Sequence, residues 1–134
     1  MINSLFLHSK TLKASGLGNY EELLRIIIVG LLGKKGKEII NIDLRRLDYA
    51  PSDNFIVCHG DSGTQVKALA ESVEEQVEKT VQIKLGHREG LDNAKWILLD
   101  YGSVVVHIFQ QEARAYYKLE ELWGDADIIP IREE

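Results

Sequence analysis

Four groups of residues in this chain could do chemistry: a Gly60-Asp61-Ser62-Gly63 run, four histidines, the acids Asp43, Asp48 and Asp100, and one thiol, Cys58. A nucleophile elbow needs Gly-x-Ser-x-Gly, and Gly60-Asp61-Ser62-Gly63-Thr64 does not supply it. Ser62 has Gln65 three residues on, which is capping-box spacing, so its expected role is to cap a helix. An anion at that helix start would meet the charge of Asp61. None of His8, His59, His87 and His107 has a second ligand at metal-site spacing. Two-metal phosphoryl transfer needs clustered carboxylates, yet Asp43 and Asp48 are wrongly spaced and Asp100 stands alone on its strand. Catalytic residues, metal and cofactor are all expected to be none. The surviving chemical alternative is an Asp100–His107 pair, as a hydrolase or nucleotidyltransferase-like enzyme would use it.

The elements that carry these residues fit one compact domain of 134 residues. A net charge of −5 argues against phosphate-neutralising contact with nucleic acid and suits a basic protein partner. A single cysteine, set in an apolar run, reads as a buried thiol and points to a reducing, cytoplasmic setting. The longest apolar stretch, LLRIIIVGLL (23–32), holds Arg25 and is too short to span a bilayer, so no membrane contact is expected. Residues 1–18 are expected to be a flexible or loosely docked extension, 19–127 the domain, and 128–134 a tail.

A first helix should begin at Asn19, with Leu23, Leu24, Ile27, Ile28, Leu31 and Leu32 on one face. Strands follow at 38–44 and 54–60, with a polar bridge between them. The helix capped by Ser62 turns Val66, Leu69, Ala70, Val73 and Val77 inward and Lys67, Glu71, Glu74, Glu75 and Glu78 to water. VQIKL (81–85) reads as a short strand and GHREGLDNA as a loop. A last helix, EARAYYKLEELW, is expected over 112–123. Five strands and about three helices give a mixed sheet in an α/β layer fold.

Between them, WILLDYGSVVVHIF (96–109) is a hairpin turning on Tyr101-Gly102 or Gly102-Ser103. Either turn puts Ile97, Leu99, Tyr101, Val104, Val106 and Ile108 on an aliphatic side to be packed under helices. Trp96, Leu98, Asp100, Val105, His107 and Phe109 share the other side, and His107 faces Asp100 or Leu98 according to register. That side is either covered by another helix or exposed as a protein-binding patch bordered by Arg114, Tyr116 and Tyr117. On the second reading, truncating Trp96 would cost binding and little stability.

SDNFIVCHGDSGTQVKALAESVEE (52–75), the hairpin, and RAYYKLEELWGDA (114–126) together resemble the ribosomal silencing factors, also called Iojap-like proteins, over roughly residues 20–127. The resemblance implies a nucleotidyltransferase-like fold without enzymatic activity. It also implies binding to the large ribosomal subunit through a protein of its intersubunit face, the large-subunit ribosomal protein numbered fourteen. Joining of the small subunit would be hindered and translation lowered. A homodimer is a further implied state. Trp96, Leu98, Asp100, Tyr101, His107, Arg114, Tyr117, Glu120 and Trp123 match the family pattern. The partner-binding set expected from it is Trp96, Leu98, Asp100, Tyr101, Gly102, His107, Arg114 and Tyr117, while Trp123 packs the last helix. Asn54 and Ser103 depart from the pattern, standing where tyrosine and an acid are common.

Overall fold

The computed structural model describes residues 18–132. In chain order it contains α1 (Gly18–Gly33), β1 (Lys37–Asp43), β2 (Asn54–Gly60), α2 (Gly63–Thr80), β3 (His87–Glu89), β4 (Trp96–Asp100), β5 (Val104–Gln110), α3 (Gln111–Tyr117), α4 (Leu119–Leu122) and β6 (Asp127–Pro130). The strands form one mixed sheet in the order β3-β4-β5-β2-β1-β6. β2 and β5 run parallel, with α2, β3 and β4 in the connection between them, and the other pairs are antiparallel. Parallel strands at the sheet centre are covered on both faces, and every residue of β2 is buried.

α1 and α2 pack on one face. Their stripes, Leu23, Ile27 and Leu31 with Val66, Leu69 and Val73, close over Ile56, Cys58, Ile97, Leu99, Val106 and Ile108. The expected inward residues of α2 are all buried. Ser62 caps α2 by accepting from the Gln65 amide at 3.1 Å, while Gln65 Oε1 accepts from the Asp61 amide at 2.7 Å. Cys58 is fully buried and desolvation pushes its thiol up to about 12, an inert thiol at neutral pH. On the opposite face a smaller cluster of Ile42, Leu44, Phe55, Val57, Val105, Phe109 and Leu119 is covered by the β1–β2 connection and the short helices α3 and α4.

Several expectations are corrected. The sheet has six strands among the described residues, not five. Residues 81–85 are not a strand: Val81 ends α2 by donating to the Val77 carbonyl, and Ile83 and Leu85 pack on the core without a ladder. The edge of β4 is taken instead by His87–Glu89, within the expected loop. The expected tail pairs with β1 as β6 over Asp127–Pro130. Helix α1 begins at Gly18, so Asn19 lies in its first turn. The single helix expected over 112–123 is broken at Lys118, whose backbone is left-handed (φ 47°, ψ 55°). The extension expected over 1–18 lies, up to residue 17, outside the described residues.

Candidate functional site

The hairpin's register decides which of its side chains meet. Trp96 pairs with Phe109, Leu98 with His107 and Asp100 with Val105, which leaves a two-residue turn at Gly102-Ser103. Gly102, at φ +87°, takes the first central position, as type II′ turns require. The Asp100 carboxylate accepts from the Gly102 amide at 2.7 Å and so braces the turn. Leu98, not Asp100, lies opposite His107. The Asp–His hydrogen bond that the enzymatic alternative needs is therefore not formed.

His107 is buried, with its ring 4.6 Å from that of Phe55, edge to face. Its Nδ1 accepts a hydrogen bond from the Trp96 indole at 3.1 Å. Nε2 then carries the ring proton, and it is buried without a partner. Burial lowers the pKa from 6.5 to about 4, against a smaller opposing pull from Asp100. His107 is thus a neutral aromatic plate beneath the surface, not the contact residue that its hairpin position suggested.

Around it the rings form a continuous path. Centroids are 5.1 Å apart for Tyr116 and Tyr117, and 4.8 Å for both Tyr117–Trp96 and Trp96–Phe109. On the far side Phe55 meets Trp123 at 5.8 Å and Trp123 meets Tyr49 at 6.0 Å. The inner rings are sealed, but the outer ones are not: Tyr116 is 79% exposed, Tyr117 52% and Tyr49 69%, and Leu122 of α4 is also exposed, at 73%. Trp96, Leu98 and Trp123 are half-buried at the seam. α3 and α4 cover the centre of this face, and exposed rings stand around it, Tyr116 and Tyr117 on α3 and Tyr49 in the β1–β2 connection.

The expected partner-binding residues separate accordingly. Trp96, Leu98 and Tyr117 lie together on the aromatic face, with Asp100 and Gly102 at its hairpin end. Tyr101 is buried on the opposite side, against the α1–α2 core, and its hydroxyl is held protonated by desolvation. Arg114 is turned inward, its side chain only 10% exposed. Tyr49 and Leu122 were missed. Tyr49 sits in a polar loop and Leu122 between Glu121 and Trp123, so neither has a periodicity that marks it.

Among the described residues no three His, Cys, Asp or Glu side chains are grouped to hold a metal, and no helix is long and apolar enough to cross a membrane. The aromatic face exposes a cluster of large rings, Tyr49, Tyr116 and Tyr117. The chain as a whole is similar to known proteins. The family described as "Ribosomal silencing factor during starvation" matches residues 18–134. The chain belongs to the ribosomal silencing factors. It is 38% identical over 114 residues to the ribosomal silencing factor of Bacillus subtilis, covering 84% of this chain and 94% of that one. It is 36% identical over 97 residues to the chloroplastic protein Iojap of Zea mays, covering 72% of this chain and 41% of that one. A crystal structure of a Chromobacterium violaceum protein superposes with a TM-score of 0.73 at 38% identity, covering 78% of this chain and 85% of that one.

Asn54 of this silencing factor has a visible structural role. Asn54 donates to Asn41 Oδ1 at 2.8 Å and accepts from the Tyr20 hydroxyl, joining β2, β1 and α1 in a buried polar link. Deprotonation of Tyr20 is strongly disfavoured, chiefly by burial.

Proposed function

We propose that this ribosomal silencing factor acts by occupying space. Its aromatic face docks on a protein at the intersubunit face of the large ribosomal subunit, the large-subunit protein numbered fourteen, and the bound domain obstructs the small subunit. Tyr117 carries the reading: the residue is 52% exposed, yet its ring lies 4.8 Å from that of Trp96. Rigid, exposed aromatic rings next to one another are the usual anchors of protein recognition, because little conformational freedom is lost when they are covered. The net charge of −5 favours approach to a basic ribosomal surface. Steric obstruction needs no chemical step, in keeping with the turn-bracing role of Asp100 and the neutrality of His107.

Co-sedimentation with purified large subunits tests this. Tyr117→Ala should weaken binding roughly tenfold or more, as expected of a hot-spot ring. The same variant should lose competition with small subunits for the large subunit. Binding unchanged in both Tyr117→Ala and Trp96→Ala would remove the aromatic face from the mechanism.

A further inference from the structure

The helix that presents Tyr116 and Tyr117 has little to hold it in place. α3 is seven residues long and none of them is buried, so neither its length nor an apolar stripe secures it. Its firmest polar attachment is Arg114. One nitrogen of the guanidinium, Nη1, donates to the Lys37 carbonyl of β1 at 3.2 Å and lies 3.0 Å from His59 Nδ1 of β2. The other, Nη2, lies 3.5 Å from Glu120 Oε2 of α4. One side chain thus ties two strands and both short helices across the left-handed corner at Lys118. A residue so enclosed is poorly placed to touch a partner.

We propose that Arg114 is a positioning residue, which through the neutral imidazole of His59 fixes α3 so that Tyr117 meets Trp96. Its effect on partner binding rests on the proposed function above. The anchor requires Nδ1 of His59 to be unprotonated, since only then can it accept from the guanidinium. Protonation would remove the acceptor and set two cations 3.0 Å apart. Arg114 of α3, Lys37 and Glu38 of β1, and Asp61 after β2 all act on His59, while Glu120 of α4 reaches it through Arg114. Glu38 Oε2, 3.7 Å away on a side chain that is 78% exposed, is the largest opposing pull, and Asp61, paired with Lys37 at 2.7 Å, is a smaller one. Burial, Arg114 and Lys37 prevail, so the imidazole stays neutral to lower pH than usual. His59 also borders a surface cavity of about 400 Å³, shared with Glu38, Arg114 and Lys118, through which a proton can reach it. Acidification should therefore loosen α3 before it unfolds the α1–α2 core.

The chain has two tryptophans, Trp96 and Trp123, and both lie on this face, so tryptophan emission of the full chain reports the seating of α3 and α4 without any partner. Arg114→Met should shift emission to the red, keep the far-ultraviolet circular dichroism, and weaken large-subunit binding by about tenfold, the loss expected for a charge-assisted anchor. Arg114→Lys, which keeps a single donor, should restore part of both. Wild-type emission should hold down to about pH 6.5, the ordinary imidazole value, and shift as the pH falls below it. His59→Asn, which places a non-titrating amide oxygen near the position of Nδ1, should flatten that profile. Unchanged emission in Arg114→Met overturns the proposal, and lost binding with unchanged emission does so too, because Arg114 would then contact the partner itself. Shifted emission with normal binding overturns it if Tyr117→Ala binds weakly. Should Tyr117→Ala also bind normally, the anchor stands and the docking surface is what fails.

Discussion

The Trp96 indole nitrogen donates to Nδ1 of His107 at 3.1 Å, diagonally across the β4–β5 ladder in which Trp96 pairs with Phe109. A buried, uncharged imidazole thereby orients a half-exposed ring. The surface and the core of this face are one stack, and changes to either will be felt in both.

Truncation of Trp96 is accordingly expected to cost stability as well as binding, unlike truncation of a wholly exposed ring. Trp96→Ala removes stacking on Phe109 and Tyr117 and strands the His107 acceptor. A loss of about 2–3 kcal/mol is expected, below the cost for a fully buried tryptophan. Tyr117→Ala should cost about 1 kcal/mol or less and still impair large-subunit binding. Urea unfolding of the two variants, compared with their binding, separates the roles; equal stability losses would place Tyr117 in the core.

Acid should destabilise the fold through His107. The unfolded imidazole takes up a proton near 6.5 and the folded one only near 4. Stability from this group is therefore complete above about pH 6.5 and is lost as pH falls toward 4, by at most about 3 kcal/mol. His59, also lowered by burial and Arg114, acts in the same direction. His107→Phe should flatten the unfolding free energy between those pH values. Observation of a His107 titration near 6.5 by proton NMR would contradict the burial argument.

Gly90 should tolerate no side chain. Its φ is +87°, and a Cβ would stand 1.8 Å from the Trp96 carbonyl oxygen. Gly90→Ala must displace the turn that sets β3 against β4, at a cost of about 2 kcal/mol or more. Thermal unfolding checks this, with Gly102→Ala as a comparison because its Cβ would meet nothing within 4 Å.

Ser62→Ala should lower stability by about 1 kcal/mol through loss of the α2 cap, and Ser62→Asn should recover most of it. Large-subunit binding should be the same in all three proteins. A binding defect in Ser62→Ala without loss of stability would point to a role beyond capping.

Much of this was legible in the chain. The inward stripe of α2, the bounds of β2, the cap at Ser62 and the two faces of the hairpin follow from side-chain period and local capping, which depend on neighbours in sequence. The register of the hairpin was open until Gly102 was seen at positive φ. The break at Lys118 was not legible, because a good helix former occupies a left-handed position where glycine would have signalled it. Leu119 buried on one side of that break, and Arg114 tied to β1 and β2 on the other, accompany it.

The amino-acid order by itself determined which residues are apolar on which face, and the family to which the chain belongs. Tertiary structure alone decided what covers those faces: β6 closing on β1, β3 in place of the 81–85 segment, His107 and Arg114 turned inward, and Tyr49, Tyr116 and Tyr117 left in water. The physical reason is that periodicity records a residue's direction from its own backbone, whereas burial depends on segments far away in the chain whose pairing no local pattern encodes.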